Sequence, residues 1–333
     1  MRILSIDGGG YLGLATASFL NAIEQRYEVR ASDRFDMFCG TSTGAIIALA
    51  LATGMSAAEV MTFYETLGPQ VFRAAPLHER TLPLLRKLRA VAGSLHDNAP
   101  LNEALTTAFG ATTLGDLRDR GKTVLVTAFN LTAGRPTIFK TDHAPDLRAH
   151  DRYLIRDIAL ASSAAPKYLP LVELQDPITG SYERYCDGAM VSNSPALLGY
   201  AEAVSHLGHS PADVEILSLG TPRESLAEPL SGLKWAQRKL TRGLWGWGLG
   251  ERIISLTIDG GAMVTDTALL RIARATGARY RRITLSQPSG VGLDVATTQA
   301  TRTLIQLGAE RARVADVQRA VAPFFIDANP EAA

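Results

Sequence analysis

Twice within its first 52 residues, this chain passes from a short apolar run through a glycine-rich turn into a helical pattern. Arg2–Ile6 is followed by glycines and then by helical spacing over Leu14–Tyr27. Phe35–Cys39 leads through Gly40–Gly44 into the apolar run Ala45–Ala52. Parallel strands need such crossover connections, because their ends lie at opposite edges of the sheet. The sequence therefore predicts an α/β fold in which helices cover both faces of a mainly parallel sheet.

The rest of the chain divides into a strand-rich part and a helical part. Further strands are predicted at Val124–Phe129, Tyr182–Cys186, Val214–Leu219 and Arg281–Leu285. After about Pro222 helical patterns dominate, mainly over Glu251–Thr276 and Ala296–Val321. We therefore predict a catalytic core over residues 1–222, a helical lid or regulatory extension packed on the same domain over 223–326, and a frayed tail over 327–333.

Charge and composition exclude several classes of protein. The 34 Lys and Arg residues against 33 Asp and Glu give a net charge of +1, which excludes a globally basic nucleic-acid binder and predicts no nucleic-acid polymer as partner. Cys39 and Cys186 are too few for a disulfide scaffold or a cysteine-based zinc cluster, and no metal site is predicted.

Hydrophobic patterning predicts a cytoplasmic protein. The apolar run before Asp7 is too short for the core of a signal peptide. The charge-free stretch Met37–Ala58 is long enough for a membrane-spanning helix, but its continuous apolar part is only Ala45–Ala52. We therefore reject a span there.

The sequence GTSTG at residues 40–44 stands between a predicted strand and a predicted helix, as a nucleophile elbow does. Its glycines allow a sharp turn that projects Ser42 above the sheet, and the N-terminus of the next helix favours negative charge beside the serine. The pattern alone also fits an ordinary strand-to-helix turn. We interpret Ser42 as the candidate nucleophile.

The sequence DGGG at residues 7–10 follows the first strand and leaves consecutive backbone N–H groups clear of side chains. Such a loop can serve as an oxyanion hole. Together with Gly13, and with Asp33 further on, it also matches the dinucleotide-binding pattern GxGxxG. A Rossmann protein has no need of a second glycine-flanked serine turn, so the pair of motifs favours acyl chemistry.

A serine nucleophile needs a base. The candidates of the usual type are His78, His96, His143, His150, His206 and His209. None of them stands in a glycine-framed turn after a predicted strand. Asp187 directly follows the strand Tyr182–Cys186, and a carboxylate there could take the Ser42 proton and return it to a leaving alcohol.

Four segments carry a family resemblance when they are taken together. They are DGGG at 7–10, GTSTG at 40–44, ASSAAP at 161–166 with Tyr168, and DGA at 187–189 with Asn193 and Pro195. In this order they resemble the four signatures of the patatin-like phospholipases, over residues 2–222. Leu12 stands where many members carry Arg, and Ser194 replaces a commoner Asn.

The resemblance implies a patatin-like fold, a modified form of the α/β-hydrolase sheet, and a lipid acyl hydrolase of phospholipase A type acting on membrane phospholipids. It implies a dyad of Ser42 and Asp187 that works through an acyl-enzyme and needs no cofactor for the chemistry. The oxyanion is expected on the backbone of Gly8, Gly9 and Gly10. The supporting positions are Asp7, Gly40, Gly44 and Gly188.

The C-terminal segments GGAMVTDTALLRIA and YRRITL are similar to bacterial patatins of the CapV type, which are effectors of cyclic-oligonucleotide antiphage signalling. That similarity implies activation by a cyclic dinucleotide, with a homo-oligomer on activation as a further expectation. An arginine cluster supplies candidate phosphate ligands, although the same pattern fits a solvated helix face. Its members are Arg271, Arg274, Arg279, Arg281 and Arg282.

A basic and aromatic stretch over Leu233–Gly250 suits an anionic membrane surface. Its candidate contact residues are Trp235, Trp245, Trp247, Lys234, Arg238, Lys239 and Arg242. Residues 73–89 form a second candidate, and both stretches also fit helices packed on the core. We predict peripheral association with the inner face of the membrane.

Four functions remain open from the sequence. The first is a phospholipase switched on by a cyclic dinucleotide in antiphage defence. The alternatives are a constitutive lipase or esterase, a Rossmann-type nucleotide-binding protein, and a catalytically silent binding module on the same fold.

Overall fold

The fold is built on one sheet, seen in a computed structural model that describes residues 1–72, 93–144, 150–223, 225–228, 241, 243, 247 and 251–326. The strands of this part of the chain are β1 (Arg2–Ile6), β2 (Met37–Thr41), β3 (Thr123–Asn130), β4 (Arg135–Lys140), β5 (Val172–Gln175), β6 (Tyr182–Asp187), β7 (Glu215–Leu219) and β8 (Arg279–Ile283). Strands β3, β2, β1, β7 and β8 lie side by side and run parallel. The predicted mainly parallel α/β sheet is confirmed.

Helices cover both faces of this sheet. In the described part of the chain they are α1 (Gly13–Tyr27), α2 (Ala31–Arg34), α3 (Thr43–Ala52), α4 (Ala57–Val71), α5 (Ala99–Phe109), α6 (Leu114–Asp119), α7 (Ile155–Ser162), α8 (Ala189–Ser192), α9 (Ala196–Ser205), α10 (Glu251–Thr276), α11 (Thr298–Arg313) and α12 (Ala315–Phe325). Two apolar clusters separate the layers. Leu4 of β1 belongs to the cluster under α1 and α3, whereas its neighbour Ile3 belongs to the cluster under α9 and α10. The two faces of β1 are therefore both buried, as parallel sheets require.

Strands β2 and β6 share one edge of β3 and meet end to end there. The last residue of β2, Thr41, pairs with Thr127, and the last residue of β6, Asp187, pairs with Ala128. Strand β4 occupies the opposite edge of β3, in antiparallel pairing. Because β2 runs parallel to β3 and β6 runs antiparallel to it, the carboxyl ends of both strands arrive at the same point.

The helical part of the chain completes the same sheet and core. Strand β8 pairs with β7, and it lies two residues earlier than the predicted strand. Helix α11 packs against α1, where Gly308 has no side chain and faces the carbonyl oxygen of Ala15. The helical pattern predicted over Ala296–Val321 is confirmed as two helices, because Val314 adopts an extended conformation and separates α11 from α12.

The sequence patterns miss two strands at the antiparallel end of the sheet. Strand β4 contains Pro136, a residue that weakens a strand prediction, and it forms as the second arm of a hairpin with β3. Strand β5 has only four residues. The rejected span, residues 37–58, holds β2 and α3, and every residue of α3 is buried in the core.

Candidate active site

Ser42 lies in a strained turn between β2 and α3. Its φ of 55° and ψ of −126° fall where residues other than glycine are rare, and such a conformation costs about 1–3 kcal/mol. The flanking glycines permit the turn by close approach. A side chain on Gly40 would overlap the carbonyl oxygen of Gly44, and one on Gly44 would overlap that of Ile6. The backbone of the turn is therefore pressed against the end of β1.

The Ser42 hydroxyl is hydrogen-bonded to Asp187. Its Oγ donates to Oδ2 of Asp187 at 2.6 Å, and the other carboxylate oxygen accepts the backbone N–H of Ala189 at 2.7 Å. Ser42 is 6% exposed and Asp187 is 3% exposed. Burial raises the pKa of Asp187 to about 6, although the two hydrogen bonds oppose the rise. A carboxyl group with this pKa can both accept and release a proton near neutral pH.

Ser162 braces both sides of this pair, a role that the sequence patterns do not reveal. Its Oγ accepts the backbone N–H of Ser42 at 2.9 Å and donates to the carbonyl oxygen of Thr127 at 2.7 Å. The backbone N–H of Asp187 donates to Ala164 O, and that of Gly188 donates to Ser162 O, both at 3.0 Å. The motif ASSAAP thus fixes the elbow and the aspartate relative to one another. A serine that directly follows the apolar run 158–161 at the end of α7 was the available signal.

The glycine loop at residues 8–10 lies beside Ser42, since a Cβ built on Gly8 would be 3.1 Å from the Cβ of Ser42. The N–H of Gly8 donates to Asn193 O at 3.3 Å, and its carbonyl accepts the hydroxyl of Thr221 at 2.6 Å. The N–H groups of Gly9 and Gly10 have no acceptor among the described residues. Of the three N–H groups that the sequence predicts for an oxyanion hole, the structure leaves these two free.

Asp7 is fully buried and is held by two arginines. Oδ1 accepts Nη1 of Arg282 at 2.8 Å, and Oδ2 pairs with the guanidinium groups of Arg223 and Arg282. The sequence predicts Arg282 as a nucleotide ligand, whereas the structure turns it inward to Asp7 and to Asp266. Burial lowers the pKa of Arg282, but the nearby carboxylates outweigh it and the pKa is raised.

The predicted arginine cluster is divided. Arg279 pairs with Glu215 at the edge of the sheet, and Arg282 is inside. Arg271, Arg274 and Arg281 are exposed. The structure therefore leaves four of the five arginines at the surface, two on α10 and two on β8, and one of these four, Arg279, is paired with Glu215.

The predicted membrane contacts lie mostly outside the described residues. These are Trp235, Trp245, Lys234, Arg238, Lys239 and Arg242, together with the stretch 73–89. Trp247 is half-buried, and its backbone N–H donates to Gly243 O at 3.3 Å. In the described part of the chain one helix, Arg252–Thr276, is long and apolar enough to cross a membrane by length and composition alone.

Two of the candidate histidines pair with acids outside the dyad. His96 pairs with Asp294 and His143 pairs with Glu202. Cys39 and Cys186 are free and buried, and burial raises the pKa of both thiols. Within the described residues, no group of three or more His, Cys, Asp or Glu side chains is arranged to hold a metal ion.

Comparison with known proteins finds a family and several relatives of this chain. The sequence profile of the family described as "Patatin-like phospholipase" matches residues 4–199. A "cGAMP-activated phospholipase" of Pseudomonas aeruginosa is 35% identical over 255 residues, covering 76% of this chain and 71% of the relative. A protein of the same description from Vibrio cholerae is 32% identical over 346 residues, covering 98% of this chain and 94% of the relative.

Proposed function

Because this chain belongs to the patatin-like phospholipase family, we propose that Ser42 and Asp187 form a catalytic dyad that cleaves fatty acyl esters of membrane phospholipids. The observation that carries the proposal is the 2.6 Å hydrogen bond between Ser42 Oγ and Asp187 Oδ2. Family membership makes the protein a hydrolase, and the buried pair supplies a nucleophile and a base in contact. A Rossmann-type function is not favoured by the family match.

The first half of the reaction forms an acyl-enzyme. Ser42 Oγ attacks the ester carbonyl carbon as its proton passes to Asp187 Oδ2. The free N–H groups of Gly9 and Gly10, with the positive N-terminal end of α3, stabilise the oxyanion. The intermediate collapses when the carbon–oxygen bond breaks, and Asp187 returns the proton to the leaving lysophospholipid alcohol.

The second half releases the fatty acid. Water attacks the acyl-enzyme carbonyl and gives its proton to Asp187. The second tetrahedral intermediate expels Ser42 Oγ, which takes the proton back. The dyad ends in its starting state, so no cofactor is needed for the chemistry.

Fatty-acid release from vesicles of anionic phospholipid, measured in the presence of cGAMP, tests this function. We expect release by the wild type and a loss of at least about 10³-fold in the Ser42→Ala and Asp187→Ala variants, since each removes a group that acts on the reacting atoms. Ser210→Ala is the matched control, because Ser210 is exposed at a distant turn. A variant of either dyad residue that keeps more than about a tenth of the wild-type rate would exclude its assigned role.

We also propose that a cyclic dinucleotide activates the enzyme, in a response that breaks down membrane lipid during phage infection. The similarity to relatives described as cGAMP-activated supports this step, since it extends over most of both chains. Arg271, Arg274 and Arg281 are the surface arginines available for phosphate. Isothermal titration with cGAMP should show binding to the wild type and at least about tenfold weaker binding to an Arg271→Ala/Arg274→Ala variant.

An Arg319→Ala variant is the control for that titration, because Arg319 is exposed on α12. Equal affinity in all three proteins would exclude Arg271 and Arg274 as ligands. Release of fatty acid at the same rate with and without nucleotide would instead indicate a constitutive lipase. Measuring molecular mass with and without cGAMP tests the expected homo-oligomer.

Contact with the inner face of the membrane is proposed for α10 as well as for the stretch over Leu233–Gly250. Met263 and Val264 are 59% and 70% exposed, and Ile253 and Ile254 are also exposed. The two acids between Arg252 and Thr276 face the core, where Asp259 and Asp266 pair with arginines. Flotation with anionic vesicles should retain the wild type and lose a Met263→Ser/Val264→Ser variant.

A further inference from the structure

The glycine loop is anchored by Asp7, the residue that precedes it. Asp7 is fully buried, and both of its carboxylate oxygens are engaged by guanidinium groups. Planar guanidinium groups fix the orientation of a carboxylate as well as its position. Movement of this carboxylate would therefore move Gly8 and the two free N–H groups that follow it.

Each of these arginines also pairs with an acid on α10. Nε of Arg282 lies 3.3 Å from Asp266 Oδ2, and Nε of Arg223 lies 3.5 Å from Asp259 Oδ1. Asp259 and Asp266 are seven residues apart, two helical turns, so they lie on one face of the helix. Two bridges of the form aspartate–arginine–aspartate thus connect α10 with the glycine loop.

Asp266 reaches the loop by a second route. Its Oδ1 accepts the hydroxyl of Ser194 at 2.6 Å, and the neighbouring residue Asn193 accepts the N–H of Gly8 through its carbonyl oxygen at 3.3 Å. One side chain of α10 therefore fixes the group that holds Asp7 and the segment that holds Gly8.

We propose that Asp266 is a positioning residue for the oxyanion loop and acts through Arg282. This inference rests on the proposed function, since it assigns Gly9 and Gly10 as the oxyanion donors. The contact between α10 and Arg282 sets the direction of the Asp7 carboxylate, and through it the direction of these N–H groups. In this way Asp266 governs transition-state stabilisation without touching the reacting atoms.

The charges of the cluster make Asp266→Asn an informative variant. Three carboxylates, those of Asp7, Asp259 and Asp266, face the two guanidinium groups of Arg223 and Arg282. Removing one carboxylate charge leaves the remaining cluster balanced, so the fold is expected to persist. Asparagine can still accept the Ser194 hydroxyl, and the change is confined to the ion pair with Arg282.

A double-mutant cycle tests the proposal. The quantities measured are kcat and KM on a soluble p-nitrophenyl ester, at a temperature below the Tm of every variant. We expect Asp266→Asn and Arg282→Lys each to lower kcat by about 10- to 100-fold with KM unchanged, because misaligned oxyanion donors weaken only the transition state. The double variant should be no slower than Arg282→Lys alone, since both act through one contact. Asp266→Glu should restore part of kcat.

The matched control is Asp316→Asn, which breaks an exposed ion pair with Arg319 and should leave kcat and KM unchanged. An Asp266→Asn variant with wild-type kcat and a lower Tm would overturn the proposal, because Asp266 would then be only structural. Losses in kcat that multiply in the double variant would also overturn it.

The rate at which a fluorophosphonate probe labels Ser42 separates this proposal from the proposed function. Labelling needs the nucleophile and the oxyanion donors but no lipid surface, and we expect it to slow in Asp266→Asn by the same factor as kcat. With cGAMP present in both assays, labelling of the wild type without fatty-acid release would overturn the proposed substrate and still decide the role of Asp266. Absence of labelling in the wild type would overturn both.

Discussion

The two buried aspartates of the site lie in opposite surroundings. Asp7 is held between two guanidinium groups, whereas the carboxylate of Asp187 meets a hydroxyl and a backbone N–H. Only the second is surrounded by neutral partners, and burial raises its pKa to about 6. The difference shows how one site can use the same residue type twice, once as a fixed anchor and once as a group that exchanges a proton.

Asp187→Asn should produce the largest effect, and it tests whether the partners of Asp187 are neutral. Activity is expected to fall by about 10²–10⁴-fold, because asparagine cannot accept the Ser42 proton. Stability at pH 7 should rise by about 1–3 kcal/mol, since a buried ionised carboxylate is replaced by a neutral amide. Fatty-acid release and thermal unfolding measure the two changes, and a lower Tm would contradict the neutral surroundings of Asp187.

Asp7→Asn should change stability in the opposite direction. It breaks both arginine contacts in the interior, and we expect a loss of about 2–4 kcal/mol in the free energy of unfolding. This loss is smaller than for breaking an isolated buried ion pair, because Asp259 and Asp266 still face the two arginines. Urea unfolding measures it, and a variant as stable as the wild type would remove the distinction between the two aspartates.

Ser162→Ala tests how much the hydrogen bonds beside Asp187 contribute to stability and rate. The Ser42 N–H and the Thr127 carbonyl lose their hydrogen-bond partner, which should lower the free energy of unfolding by about 1–3 kcal/mol. Because the turn that carries Ser42 is then held less firmly, kcat should fall about tenfold. Ser163→Ala is the matched control from the same motif, because the buried Ser163 hydroxyl has no hydrogen-bond partner among the described residues. Equal effects of the two substitutions on kcat would exclude a bracing role for Ser162.

The pH dependence of the rate tests the proton exchange itself. Because catalysis needs the carboxylate form of Asp187 and its pKa is about 6, kcat should rise with pH through 6 and be about tenfold lower at pH 5 than at pH 7. The folded pKa lies above the ordinary value near 4, so this group favours the folded state at low pH, and that contribution is lost as pH rises from about 4 to 6. A rate that is flat from pH 5 to 7 would contradict both statements.

The smallest expected effect concerns α10, the helix whose two acids pair with the arginines that bind Asp7. Gly260 lies inside α10, and a Cβ placed on it would meet no heavy atom of the described residues within 4 Å. Gly260→Ala should therefore stabilise the fold by about 0.5–1 kcal/mol. Activity on a soluble ester should not change. Destabilisation measured by thermal unfolding would show that this face of α10 is closely packed.

Local patterns predicted the parts of the site that local geometry builds. The two glycine turns follow buried strands, and Ser42 and the glycine loop could be placed because each motif is contiguous. The strand before Asp187 suggested this residue as the base. Its pairing with Ser42 became specific only with the family resemblance, since 145 positions separate the two and no periodicity connects them.

The anchor of the loop could not be predicted in this way. Arg223 and Arg282 lie 216 and 275 positions from Asp7, and an arginine-rich segment gives no sign of which side chains turn inward. Arg282 was therefore interpreted as a phosphate ligand. Its partners become visible only when β8 is paired with β7, which places its side chain beside the end of β1.

Strands β2 and β6 meet along β3, and this arrangement determines where the chain can change in length without moving the nucleophile relative to the base. Thr127 and Ala128 are consecutive, so the spacing of Ser42 and Asp187 is fixed by one peptide unit of β3. Loops on either side can lengthen or shorten without changing that spacing. A slip of one residue in the pairing of β6 would move Asp187 by about 3.4 Å and turn its side chain to the other face of the sheet. Insertions should therefore be tolerated in the β3–β4 turn but not within β3.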